Sequence, residues 1–330
     1  MINMKRLIID CDPGNGVAGA NVDDGLALAL ALAAPEISLE LITTVSGNTP
    51  SEVGYAVASD LVARLGMSVE VARGASRALI EPSAPWREHL DHKVDKVGLR
   101  HLWNGVSAPQ INAATAPLAV HKMGELICNN PGEITLIAIG PLTNVALALQ
   151  LYPQMAAAVK EIVIMGGVFN VEGYLKDTNF GIDPEAAHAV LTSGANIILV
   201  PMDVTTQTMM THQNLDKLAT CNNRLSDFLV ETIRPWMDFS MQTRNLPGCW
   251  IHDVLTVALL LEPALVSGVE DYVDVSLSGL SRGRTLRYGP ENLRLTVNVE
   301  PPRGKPVMIL QTVDNEALLA LIDKNIRQFS

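Results

Sequence analysis

The chain is poor in aromatic side chains, has no paired cysteines, no excess of basic residues and no apolar run long enough to span a bilayer. Phe, Trp and Tyr together account for 4% of the 330 residues, so the core must be built from aliphatic side chains. Cys11, Cys128, Cys221 and Cys249 form no CxxC pair and no zinc-like spacing, which points to buried thiols in a reducing compartment. The opening MINMKRLIID has one short apolar run that leads straight into a charged motif; with no later membrane span, the expectation is a cytoplasmic protein. Lys and Arg number 24 against 35 Asp and Glu, for a net charge of −11. Without a basic stripe or stacking aromatics, such a surface repels phosphate backbones and excludes nucleic acid as a partner. No internal repeat or low-complexity linker divides the chain, so residues 1–330 read as one domain.

What is present is a rhythm. Hydrophobic residues make up 48% and charged residues only 18%, a balance that suits a sheet covered by helices on both faces. Arg6 to Ile9, Leu39 to Val45, Val69 to Ala72, Ile134 to Ile139, Glu161 to Met165 and Ile197 to Val200 read as buried strands. Between them, Gly25 to Ala33, Glu52 to Leu65, Ala119 to Asn129, Asn144 to Leu151 and Pro184 to Ser193 read as helices, the last with Asp183 and Pro184 as cap and first turn. The expected class is α/β: a mostly parallel, doubly wound sheet flanked by helices. Two stretches depart from it. Residues 76–117, with Pro82, Pro85, Trp86, Trp103 and Pro109, read as a long irregular insertion of the kind that forms lids, and 203–250 read as largely helical. Both are expected next to an active site. Beyond Tyr272, the runs VDVSL, RTLRY, RLTVNV and VMIL predict a small β extension, closed by a helix from Glu316 to Phe329.

The chemistry gathers around the first strand, which ends in Asp10-Cys11-Asp12, with Asp23-Asp24 at the start of the following helix. Alternation along a strand sends Asp10 and Asp12 to the same side. Carboxylates crowded at one strand end repel by about 4 kcal/mol per close pair at an effective dielectric near 20, a penalty that a bound cation reverses. A helix N-terminus also favours the charge of Asp23 and Asp24. One such Asp would be an ordinary solvated acid; four around one strand-to-helix turn, at the sheet edge where open α/β folds bind ligands, indicate a site.

Two other readings attach to the same segment. Gly14-Asn15-Gly16-Val17-Ala18-Gly19 satisfies the GxGxxG of dinucleotide-binding oxidoreductases, with Glu40 about twenty residues on. Against it, the flanking aspartates repel a pyrophosphate, the helical pattern starts at Asp23 and not at the third glycine, and Glu40 lies early in its strand. The DxD pair also suits a magnesium-dependent phosphohydrolase with Asp10 as nucleophile, a reading that makes no use of His252, Asp253 or Asn179.

The chain resembles the inosine-uridine preferring nucleoside hydrolase family from about residue 5 to 328. The family's DxDPGxDD appears as Asp10-Cys11-Asp12-Pro13-Gly14, but the Asp pair follows only after Asn15 to Val22, seven residues later than usual. Supporting matches are Thr43 to Asn48 (TTVSGN), Ile139 to Asn144 (IGPLTN), Ile164 to Gly167 (IMGG), Asn179 to Ala187 (NFGIDPEAA) and His252-Asp253. The resemblance implies hydrolysis of the N-glycosidic bond of ribonucleosides by a calcium-activated water. It implies Asp12, Asp24, Asp253 and the Ile139 carbonyl as metal ligands, an all-oxygen set suited to calcium. Asp12 would also take the proton of the water, and His252 would be the acid for the leaving base. Asp23, Asn48, Asp177 and Asn179 are implied as ribose contacts with Met165 nearby, Asp177 standing where a Glu is usual; Trp236 and Arg244 are implied near the base. Self-association as a dimer or tetramer is implied as well. Taken singly, Asn48 is a turn residue, Asp177 and Asn179 are loop polar groups, Met165 is core and Trp236 is helix packing. A protein that keeps the pocket and binds ribose or nucleoside without turnover is the non-enzymatic alternative. The family's His-Gly segment after the third strand is not recognisable, and residues 89–107 replace it.

Overall fold

The computed structural model describes residues 4–111, 116, 118–289, 291–292 and 304–329. Its first strand, β1 (Lys5–Cys11), is flanked in parallel by β2 (Ile37–Thr44) and β4 (Ile134–Ala138). With β3 (Glu70–Arg73), β5 (Glu161–Met165), β6 (Ile197–Val200), β7 (Val266–Val275), β8 (Thr285–Tyr288) and β9 (Val307–Val313), one nine-stranded sheet runs in the order β3-β2-β1-β4-β5-β6-β9-β7-β8. The strand order reverses between β1 and β4, and the crevice outside their carboxyl ends is where such sheets bind ligands.

Leu7, Ile8, Ile9, Leu136 and Ile137 have no exposed surface, so β1 and β4 are covered on both faces, as their unbroken apolar runs require. Helix α1 (Asp23–Ala33) is almost pure Leu and Ala after its acidic start; strong helix formers buried on every side make it a core helix against α12 (Val254–Leu261). On the opposite face, α4 (Ala119–Asn129), α5 (Thr143–Leu151) and α8 (Pro184–Leu191) pack as a second layer. The mostly parallel doubly wound α/β fold expected from the sequence is present.

Two expectations need correction. Residues 76–117 are not simply irregular: α3 (Ala84–Lys96) lies within them, with Pro85 in its first turn, where the missing N–H costs nothing. The expected small β extension is present and continues the main sheet: β9 pairs in parallel with β6 and antiparallel with β7, which pairs antiparallel with β8. β7 also begins at Val266, well before Tyr272. The expected strand RLTVNV lies outside the described residues. Within 203–250, α10 (His212–Ala219) and the long α11 (Arg224–Arg244) are helical as expected, each opened by a capping box, on Thr211 and on Asn223.

Candidate active site

β1 carries Asp10 and Cys11 to its end and delivers Asp12 just beyond it, next to the start of α1. The Asp12 backbone N–H donates to Asp24 Oδ1 at 2.8 Å, which joins the strand end to the helix start. Asn48, in the loop after β2, donates its backbone N–H to Asp12 Oδ2 at 2.5 Å, and its side-chain amide lies 3.4 Å from both Asp12 Oδ1 and Asp24 Oδ2. Gly47 must be glycine, since a Cβ there would sit 1.8 Å from Asp12 Oδ2. On the far side, Asp23 Oδ2 accepts the backbone N–H groups of His252 and Asp253 at 2.9 and 3.3 Å, so a residue early in the chain orients a pair more than two hundred positions later.

Carboxylate oxygens of Asp23, Asp24 and Asp253 come within 4.8 Å of one another, all buried. Asp12 stands beside this trio, tied to Asp24 through its backbone N–H, as Asp253 is to Asp23. Burial is the first cause that raises each of these acids, to about 6 for Asp12 and Asp23, and well above the carboxylate range for Asp24 and Asp253, where the neighbouring aspartates add to it. Arg87 pulls the Asp12 carboxyl down but does not offset its burial. Asp23 Oδ1 has no hydrogen-bond partner. Four acids buried together with an orphaned oxygen fit an oxygen-liganded cation and fit a purely structural role poorly.

Beside this cluster opens a cavity of about 660 Å³. Asp23, Asn48, Ile139, Met165, Asp177, Asn179, Trp236, Arg244, His252 and Asp253 all line it, whereas Asp12 and Asp24 lie behind its wall. Asn179 donates its side-chain amide to the carbonyls of Ile139 at 2.9 Å and Met165 at 3.0 Å, which sets the ends of β4 and β5 in register with the loop that holds it. Asp177 caps the short helix α7 (Thr178–Ile182) through Phe180 N–H; its Oδ2 is unpartnered, and burial pushes its carboxyl up to about 6. His252 Nδ1 lies 2.7 Å from Thr205 Oγ1, and burial followed by Arg244 lowers the imidazole to about 3, so the ring is neutral and Nε2 is its remaining polar atom.

Several lining residues carried no signal in the sequence. Trp86, His89, Leu90 and Lys93 reach the cavity from α3, and Tyr174 and Lys176 from the loop before α7. Their part depends on where those segments fold back, which spacing does not reveal. Arg87 fixes α3 in place by donating to the carbonyls of Gly47 at 2.6 Å and Asn48 at 2.9 Å. Trp236 is both wall and packing: it is 1% exposed, stacks on Phe239 and still borders the cavity.

The rival readings fail on this geometry. Asp10 is fully buried, accepts from Thr43 Oγ1 at 2.6 Å and Asn144 Nδ2 at 2.7 Å, and does not line the cavity, so it serves as a strut between strand ends and not as a nucleophile. The GxGxxG loop does not open a helix. Gly19 abuts Val94 of α3, and α1 starts four residues later with two carboxylates where a phosphate would sit.

Comparison with known proteins agrees. Residues 7–320 match the family model for inosine-uridine preferring nucleoside hydrolases. A probable uridine nucleosidase 2 of Arabidopsis thaliana is 33% identical over 323 residues, covering 96% of each chain. Among solved structures, a plant nucleoside hydrolase superposes with a TM-score of 0.82 at 27% identity, covering 98% of each chain. A purine-preferring ribonucleoside hydrolase from Gardnerella vaginalis gives 0.81 at 27% identity, over 98% of this chain and 99% of that one. With its acidic cluster, its cavity and these matches over nearly its whole length, the chain belongs to the inosine-uridine preferring nucleoside hydrolase family, a family of ribonucleoside hydrolases.

Proposed function

We propose that this ribonucleoside hydrolase holds one calcium ion on Asp12, Asp24, Asp253 and the Ile139 carbonyl, with Asp23 close by, and cleaves the N-glycosidic bond of a ribonucleoside seated in the adjoining cavity. The observation that carries the reading is the buried group of Asp23, Asp24 and Asp253 with Asp12 beside it, at the β1–β4 switch. All-oxygen ligands of mixed carboxylate and carbonyl type suit calcium better than zinc, and the loose spread of the donors suits it better than magnesium. When bound, the cation supplies charge neutralisation and Lewis-acid polarisation of oxygens near it.

The chain's own residues do the rest. Asp23, Asn48, Asp177 and Asn179 present acceptors and amides to the ribose hydroxyls, with Met165 as apolar backing. Asp12 takes the proton of the attacking water. The carboxylates along the sugar side favour the positive charge that develops on the ring as the bond to the base lengthens. His252, held by Thr205, and Trp236 with Arg244 form the side that receives the base. Incubation with a panel of purine and pyrimidine ribonucleosides, with calcium and then with chelator, tests this: base and ribose are released in the first case and not in the second. No base from any nucleoside overturns the reading.

The free thiols of all four cysteines support a reducing, cytoplasmic setting. No helix among the described residues is long and apolar enough to cross a membrane. Self-association, as dimer or tetramer, is supported by the exposure of Ile80 (70%) and Leu280 (98%), on segments tied together by Arg282, which bonds Glu81 and the Leu277 carbonyl. Light scattering on the purified chain reads the copy number.

A further inference from the structure

The cavity is electrically two-sided. Asp23, Asp177 and Asp253 stand on the sugar side; at the other side Lys93 of α3 and Arg244 of α11 flank one indole. Lys93 Nζ is 5.0 Å and Arg244 Cζ 5.3 Å from the ring centre of Trp236. Lys93 also lies 6.0 Å from the Phe239 ring, and Arg244 lies 5.8 Å from that of Trp250. Among the described residues neither side chain makes a hydrogen bond or an ion pair, and both lie over aromatic rings. Two like charges share a ring and repel, an arrangement that aromatic faces alone offset weakly and that an electron-rich ligand between them would relieve. Burial, and then Arg244 and Arg87, bring the Lys93 ammonium down to about 8, close to the range in which it can give up a proton.

We propose that Lys93 receives the leaving base: its ammonium group hydrogen-bonds an acceptor atom of the base, takes up the negative charge formed as the glycosidic bond breaks, and hands over the proton. This rests on the reading of the site given above. The bond between C1′ and the base nitrogen breaks with its electron pair on the base. The water oxygen forms the new bond to C1′, and the proton of that water passes to Asp12. The base anion becomes neutral with one proton from Lys93, which regains it from solvent as Asp12 releases its own, so nucleoside and water give ribose and free base. Arg244 keeps its proton at any working pH and acts as a fixed second charge. Trp236 supplies the apolar surface that both cations share. An ammonium donates to any carbonyl or ring-nitrogen acceptor, so this arrangement serves pyrimidine and purine bases alike.

The test compares uridine, whose base leaves poorly, with 4-nitrophenyl β-D-ribofuranoside, whose leaving group is stable as an anion and needs no proton. For Lys93→Met and Lys93→Gln, kcat on uridine is expected to fall about 10²-fold. The ratio of kcat on uridine to kcat on the nitrophenyl riboside should drop by at least about 30-fold, since the second substrate bypasses the step assigned to Lys93. Lys93→Arg, which restores charge, should recover part of that ratio. Equal losses on both substrates, or no loss on either, would overturn the role of Lys93 alone. A wild-type protein that releases neither base nor nitrophenol with calcium present overturns the reading of the site and this inference with it.

Discussion

Gly19 and Val94 are packed so closely that a Cβ on the glycine would lie 2.8 Å from the Cβ of the valine. Gly19 has φ +81, in the region that favours glycine, and Val94 is fully buried. Nearby, a Cβ on Gly16 would meet the carbonyl of Ser107 at 2.7 Å, and Asn15 donates to Thr232 of α11 at 2.9 Å. The extra residues at 15–22 and the unusual segment 89–107, two separate departures from the family pattern, are thus packed together on the α3 side of the cavity.

Gly19→Ala combines an unfavourable φ with a clash on the lid helix and is expected to cost about 1–3 kcal/mol. Calorimetry should show a melting temperature lower by a few degrees, with KM raised and calcium affinity unchanged. A variant that melts like the wild type would show that this contact does not hold the lid.

Gly47→Ala places a methyl group where Asp12 Oδ2 now lies and must displace that carboxylate from Asn48. A shift on the scale of 1 Å at a reacting group lowers kcat by about 10²-fold. The far-ultraviolet circular dichroism should remain native. Full activity would mean that Asp12 is not needed in its observed place.

Asp24→Ala is expected to lose bound calcium and activity together, as measured by isothermal titration with calcium and by base release. Calcium bound with wild-type affinity would reject the ligand set.

The cation-free protein should lose stability as pH rises. Asp10 is pushed up to about 7 and Asp12, Asp23 and Asp177 to about 6, first by burial. A carboxyl raised in the fold contributes stability that is full below its ordinary value near 4 and lost as pH climbs through the raised one. Melting temperatures of chelated protein should therefore decline between about pH 4 and 7, and calcium should flatten the decline. A chelated protein more stable at pH 8 than at pH 5 contradicts the assignment.

Arg87→Ala removes charge-assisted bonds to the Gly47 and Asn48 carbonyls, each worth about 1.5–3 kcal/mol. Release of the lid helix should raise KM about tenfold or more while calcium binding is kept. An unchanged KM would show that α3 is held by other contacts.

Much of the site was legible because its chemistry is written in short segments at strand ends and helix starts. Asp10 to Asp12, Asp23-Asp24, Thr43 to Asn48 and His252-Asp253 each have a residue type that is costly to bury without purpose, and the parallel sheet brings such ends to one edge. Lys93 and Thr205 were not legible. A lysine on a polar helix reads as a solvated face, and only the docking of α3 over Trp236 gives it another meaning. The helix itself was hidden by Pro85 and Trp86 among nearby prolines, although Pro85 is a helix-starting residue in the right context. The place of β9 was beyond reach for a different reason: an apolar run states that it is buried, not between which neighbours.

That place has a consequence for synthesis. β9 is near the end of the chain yet fills the gap between β6 and β7, so until residue 313 is available β6 presents a bare row of peptide groups, and the β7–β8 hairpin has nothing to join. A nascent polypeptide released early would carry an open, sticky strand edge in the middle of its fold. Ribosome-bound or truncated forms of this protein should therefore depend on chaperones, while the finished chain closes its own seam.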